Sequence, residues 1–267
     1  PNYRREGARF HERDTTTVST QLVRWLDNVR RKRIASVGDW RPYVRRATHA
    51  VPQPASHDDV SALGASTYLW ASPFGDDRLD LFLHVRELGC DVLEICIEDP
   101  ALVTAAAVSE AASEAGVAVS VCGAFGPDRD VSHEDPAVRR GAIDYLCGCV
   151  DLAAAVGSLH VAGPMYSATG KTRLLPPEER EQQRRLAAEG LAVVADYAGE
   201  RGVALAVEPL NRYETDLVNT VEQGLDLCER IGRPNAGLLL DTFHMNIEEQ
   251  SLPDAIRRAG DRLFHFH

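Results

Sequence analysis

From residue 63 onward, short apolar runs alternate with longer stretches whose apolar residues recur at helical spacing. Seven runs read as strands, over 63–70, 91–97, 117–122, 158–162, 203–208, 236–240 and 263–267. The helical stretches between them cover 77–88, 100–115, 135–156, 177–201, 220–231 and 252–259. A glycine follows each helical stretch, at Gly89, Gly116, Gly157, Gly202, Gly232 and Gly260, where a left-handed cap would end the helix. Largely apolar strands separated by helices predict a parallel sheet covered by helices. Seven such units in one row fit an α/β (β/α)8 TIM barrel better than an open sheet. The seventh strand is the last segment of the sequence, so the barrel is expected to be incomplete, with seven of eight strands present.

The first 60 residues break this pattern. Within 17–34, Val18, Leu22, Trp25, Leu26 and Val29 fall on one face of a potential helix, after which Pro42, Pro52 and Pro54 interrupt the chain. This segment holds 12 Lys/Arg against 7 Asp/Glu, whereas residues 61–267 hold 17 against 33. The expected organisation is therefore an Arg-rich, poorly ordered extension over 1–60 and a partial barrel domain over 61–267. Arg30-Arg31-Lys32-Arg33 reads as part of a solvated extension rather than a nucleic-acid patch. The net charge of −11 argues against nonspecific nucleic-acid binding by the whole molecule.

No apolar run approaches the roughly 20 residues that cross a bilayer, and no charged-then-apolar leader opens the sequence, so no membrane partner is expected. The sequence opens on Pro1 and its methionines are Met165 and Met245, which reads as a processed chain or a fragment. The six cysteines sit mostly in apolar runs, the pattern of reduced, buried thiols, and a cytoplasmic location is expected.

Barrels of this kind build their active sites where strands finish. Three residues with ligand chemistry close the last three strand-like runs: Glu208, Asp241 and His267. They are 33 and 26 residues apart, close to the roughly 31 residues of one barrel unit. Two carboxylates and an imidazole suit a divalent ion of intermediate hardness, Mn²⁺, Mg²⁺ or Co²⁺. Each has a plain structural reading as well. Asp241 can cap the segment beginning at Thr242. His265 and His267, two apart, face one side of a regular strand, and one of them can be a satisfied core histidine. The stretch from Gly163 to Gly170-Lys171-Thr172 imitates a phosphate loop, but six residues separate its glycines where the motif needs four. Neither a Gly-x-Gly-x-x-Gly after the first strand nor a Gly-x-Ser-x-Gly elbow occurs, which removes dinucleotide and serine-hydrolase readings.

The strings Val207-Glu-Pro-Leu-Asn-Arg-Tyr-Glu214, Leu240-Asp-Thr-Phe-His-Met-Asn-Ile-Glu-Glu249 and His265-Phe-His267 resemble the D-tagatose/D-psicose (allulose) 3-epimerase group of the xylose-isomerase-like sugar phosphate isomerase/epimerase barrels. Val121-Cys-Gly123, Ser132-His-Glu-Asp-Pro136 and Ala162-Gly-Pro-Met-Tyr166 are similar too, and the likeness covers about 61–267. The resemblance implies one divalent metal held by Glu208, Asp241, His267 and a second Glu after an eighth strand, beyond the end of this sequence. It makes Glu208 ligand and proton-transfer group together, and gives Glu214 and His244 contacts to the ketose. Asn211 and Arg212 are expected to fix that loop rather than to touch the reacting carbon. Pro209 departs from the group's usual Glu-Val-x-Asn, which bears on the sugar taken.

The reaction implied is metal-dependent epimerisation of a ketose at carbon 3 through an enediolate. The chain as it stands, lacking the second Glu, is expected to be inactive, and the full-length protein to be a homodimer or homotetramer. The competing functions are a hydroxypyruvate or sugar aldose–ketose isomerase on the same barrel, a phosphodiesterase acting on damaged DNA, and an inactive sugar-binding fragment. The charge of residues 61–267 weighs against the phosphodiesterase.

Overall fold

The computed structural model describes residues 62–173 and 175–267. The Arg-rich segment 1–60 and the helix expected over 17–34 lie outside the described residues. Seven strands, β1 (Gly64–Ser66), β2 (Val92–Ile97), β3 (Ala118–Gly123), β4 (His160–Gly163), β5 (Ala204–Val207), β6 (Ala236–Leu240) and β7 (Leu263–Phe266), pair in chain order, every pair parallel. Seven helices connect them: α1 (Asp80–Glu87), α2 (Ala105–Ala115), α3 (Pro136–Val156), α4 (Pro177–Gly199), α5 (Val221–Ile231), α6 (Thr242–Glu248) and α7 (Leu252–Ala259). The six helix-ending glycines all have positive φ. At Gly116, φ is +64° and the Gly116 and Val117 amides return to Ser113 and Ala112, so the helix closes in the left-handed turn that a Cβ would strain.

Alternate residues of the strands face opposite ways. Leu93, Ile95, Val119, Val121, Val161, Leu205, Val207, Leu238 and Leu240 join helix residues such as Phe82, Val108, Leu146, Leu191 and Leu227 in one large core. The other parity carries a small cluster, Ala162, Ala206 and Leu239 with Phe264 against it, and most of the polar strand residues. A hydrogen bond between Glu94 on β2 and His265 on β7, at 2.9 Å, joins strands that are not neighbours in the sheet. The sheet is thus curled round a lumen, an incomplete TIM barrel with its helices outside.

Three local departures from the expected pattern have identifiable causes. The strand expected over 63–70 ends at Ser66, whose hydroxyl caps a 3₁₀ turn over Thr67–Leu69. The stretch 100–115 divides into a 3₁₀ turn, Pro100–Leu102, capped by Asp99, and α2, because Val103 and Thr104 are extended between them. In β7, Leu238 pairs with Leu263 but Leu239 pairs with His265, leaving Phe264 as an extra residue in a bulge. Gly237 makes room for it: a Cβ there would lie 2.5 Å from the Phe264 ring and 2.6 Å from the Arg262 carbonyl. The extra residue brings His265 to the lumen side, opposite Leu239.

Candidate active site

The three strand-end residues stand where the pattern puts them, each one residue past its strand: Glu208 after β5, Asp241 after β6 and His267 after β7. Backbone bonds lock this rim, the Glu208 amide donating to the Gly163 carbonyl at 3.1 Å and the His267 amide to the Leu240 carbonyl at 2.8 Å. Asp241 takes the capping role expected of it. Its Oδ1 accepts from the Phe243 and His244 amides and caps α6, while Oδ2 faces His267 Nδ1 at 4.0 Å. α6 is itself a short element that hydrophobic spacing does not reveal, and Asp241 starts it.

His244 in the first turn of α6 meets Glu208, its Nε2 lying 3.6 Å from Oε1. The Asn211 backbone amide donates to His244 Nδ1 at 3.2 Å, with the Asn211 side-chain amide nitrogen 2.8 Å away. Nδ1 is therefore an acceptor, and the neutral ring carries its hydrogen on Nε2. That makes His244 a donor aimed at Glu208 rather than a ligand, although the donor atoms of Glu208, Asp241 and His244 lie within 4.8 Å of one another. Asn211 also donates to Glu214 Oε1 at 2.9 Å, so one buried asparagine holds both residues expected to touch the sugar. Arg212 fixes the same loop to α6 through Glu248, its backbone amide, Nε and Nη2 all donating to that carboxylate. The phosphate-loop imitation is spent elsewhere: Lys171 Nζ is bonded to buried Asp130 at 2.6 Å and to Ser132 at 2.9 Å.

One layer deeper is a group that reasoning from strand ends missed. Glu94 Oε2 meets His265 Nε2 at 2.9 Å, His267 Nε2 at 3.2 Å and Ser120 Oγ at 3.4 Å. His160 on β4 meets Ser120 Oγ at 3.2 Å, and its ring lies 4.5 Å from that of His265. The available signal was Glu94 itself, the lone charge inside the apolar run Val-Leu-Glu-Ile-Cys-Ile.

The electrostatics divide these carboxylates. Burial raises Glu208, the nearby His267 offsets part of that, and the charges of Asp241, Glu94 and Glu214 add to it, leaving it at about 8. Burial opposes ionisation of Glu94 as well, but hydrogen bonds from His265 and His267 outweigh it and hold the carboxyl at about 2. Burial lowers His267, yet its bond to Glu94 and the charges of Glu94, Glu208 and Asp241 carry it up to about 9. Burial and the neighbouring His265 pull His160 down to about 4, a neutral ring at pH 7. Carboxylates crowded at the rim call for a positive charge among them. The donor set fits a divalent ion: ligand atoms about 2.1 Å from one ion sit about 3 Å apart at octahedral angles, and His267 Nδ1 and Asp241 Oδ2 are 4.0 Å apart without one.

Comparison with known proteins places this arrangement. The profile of the xylose isomerase-like TIM barrel family matches residues 82–267. The L-ribulose 3-epimerase of Mesorhizobium japonicum is 34% identical over 209 residues, 78% of this chain and 69% of that protein. The L-ribulose 3-epimerase of Methylomonas sp. strain DH-1 is 33% identical over 67% of this chain, which spans only 62% of its length. Among solved structures, the D-allulose 3-epimerase from Methylomonas sp. in complex with D-allulose superposes with a TM-score of 0.73 at 29% identity, covering 77% of this chain and 71% of that one. The chain belongs to the xylose isomerase-like TIM barrel family, and its relatives include L-ribulose and D-psicose 3-epimerases.

Proposed function

We propose that residues 61–267 form the barrel of a metal-dependent ketose 3-epimerase. The observation that carries this reading is the placing of Glu208, Asp241 and His267 one residue past three successive strands, with Asp241 Oδ2 4.0 Å from His267 Nδ1, ligand atoms of Glu208, Asp241 and His244 within 4.8 Å of one another, and His244 and Glu214 both held by Asn211. The relatives' names support the reaction class.

Glu208, Asp241 and His267 would hold the ion, Mn²⁺, Mg²⁺ or Co²⁺. When bound, the ion supplies positive charge to the ketone oxygen and the hydroxyl oxygen next to it. The Glu208 carboxylate takes the proton from carbon 3, the carbon's electron pair moves toward the ketone oxygen, and an enediolate forms. His244 donates its Nε2–H to an oxygen of that enediolate, where the hydrogen bond strengthens as charge develops. Glu214 accepts from a sugar hydroxyl. Inversion requires a proton delivered to the opposite face, whereas return by Glu208 to the face it left regenerates the starting sugar.

This half of the reaction has its own test. With Mn²⁺ and L-ribulose or D-psicose in D₂O, the chain is expected to place deuterium at carbon 3, read by NMR. Glu208→Gln should slow that exchange by about 10²–10⁴-fold, the usual worth of a positioned acid or base. No exchange at carbon 3 by the wild-type chain would overturn the reading. Label at carbon 1 instead would turn it into an aldose–ketose isomerase.

A further inference from the structure

Glu94 lies in the middle of β2, buried, on the lumen side, and is none of the strand-end residues. Its Oε2 takes the Nε2 atoms of both His265 and His267, at 2.9 and 3.2 Å. A carboxylate oxygen only accepts, so both Nε2 atoms carry hydrogen. With Nε2 engaged, the His267 atom left to face Asp241 Oδ2, at 4.0 Å, is Nδ1. Turning the ring over would break the bond to Glu94 and point Nδ1 away from Asp241. Glu94 is braced in its turn by Ser120 Oγ at 3.4 Å and by His265, whose ring lies 4.5 Å from that of His160 at a 42° tilt.

We propose that Glu94 is a positioning residue for His267, fixing its tautomer and presenting Nδ1 to the ion that Asp241 and Glu208 share. This rests on the metal-dependent reading above. A carboxylate behind a metal-bound imidazole sets the ring's orientation and raises its basicity, and its loss commonly weakens metal binding 10–100-fold. The donor atoms of Glu94, His265 and His267 also lie within 4.8 Å of one another, so an ion among those three is the competing arrangement. The hydrogen-bond distances from Glu94 to both rings favour positioning.

Mn²⁺ binding to the whole 267-residue chain, followed by electron paramagnetic resonance, tests this without any sugar. Glu94→Gln should weaken binding by about 10–100-fold. Glu94→Asp, which keeps the charge but draws it back from His267, should weaken it as well and serves if Glu94→Gln does not fold. In a His267→Ala background, Glu94→Gln should change the affinity less than about twofold, because the ring it positions is gone. An equal loss in both backgrounds would show a general effect of charge or packing and overturn the assignment. So would affinities within twofold of wild type for Glu94→Gln and Glu94→Asp, an outcome that leaves the ketose reading intact. A second Mn²⁺ per chain that Glu94→Gln abolishes would overturn it in favour of an ion among Glu94, His265 and His267. A wild-type chain that binds no Mn²⁺ would overturn the metal-dependent reading and this inference together.

Discussion

The seven strands present two faces made from alternate residues of the same segments, and the two follow different rules. On the outer face, Leu93, Ile95, Val121, Leu205 and Leu238 belong to the one large apolar core shared with the helices. On the lumen face, Glu94, Ser120, His160 and His265 each meet particular side-chain atoms of another strand. Apolar packing is nondirectional and roughly proportional to area, so outer positions tolerate exchange of one hydrophobe for another. A buried hydrogen bond is directional, and removing one partner strands the other. The outer face therefore holds the barrel's shape, and the inner face holds its chemistry.

Breaking the outer face should have the largest effect on stability. Leu205→Ala, fully buried, is expected to lower the unfolding free energy by about 2–5 kcal/mol in denaturant titration, while a folded variant keeps wild-type Mn²⁺ affinity. A loss of Mn²⁺ affinity matching the loss of stability would erase the distinction between the faces. Gly237→Ala acts where the two faces meet. Its Cβ would press on the Phe264 ring and the Arg262 carbonyl, so the bulge must shift, at about 1–3 kcal/mol. Because that bulge sets the direction of His265 and His267, this variant should also bind Mn²⁺ more weakly, unlike Leu205→Ala.

Asp241 sharpens the comparison, because Oδ1 caps α6 while Oδ2 faces His267 and is proposed to hold the ion. Asp241→Ala should cost about 1 kcal/mol through the lost helix cap. Asp241→Asn keeps an oxygen for the Phe243 and His244 amides and should melt close to wild type. Both should lose Mn²⁺ affinity, and an Asn variant with unchanged affinity would show that Oδ2 holds no ion.

The outer face was legible in the sequence because its signal is periodic. Continuous apolar runs, helical spacing between them and a glycine after each helix carry the strand order without any tertiary information. The rim was legible for a related reason: Glu208, Asp241 and His267 follow apolar runs at spacings near one barrel unit. The deeper layer was not. Glu94 contacts residues 171 and 173 positions away, a pairing that no local pattern encodes. The β7 bulge was hidden because Leu-Phe-His-Phe reads as an ordinary strand, and only the space above Gly237 shows where the extra residue goes. The start of α6 depends on a cap, Asp241, and a single capping carboxylate after an apolar run carries no helical periodicity of its own.

The bond between Glu94 and His265 also imposes an order of events on synthesis. At 5–20 residues per second, about 10–30 s separate the two residues' emergence from the ribosome. During that interval β2 and β3 can pair and Ser120 can meet the Glu94 carboxylate, but both imidazoles are still to be made. The lumen side of the sheet therefore gains the two imidazoles only when β7 arrives.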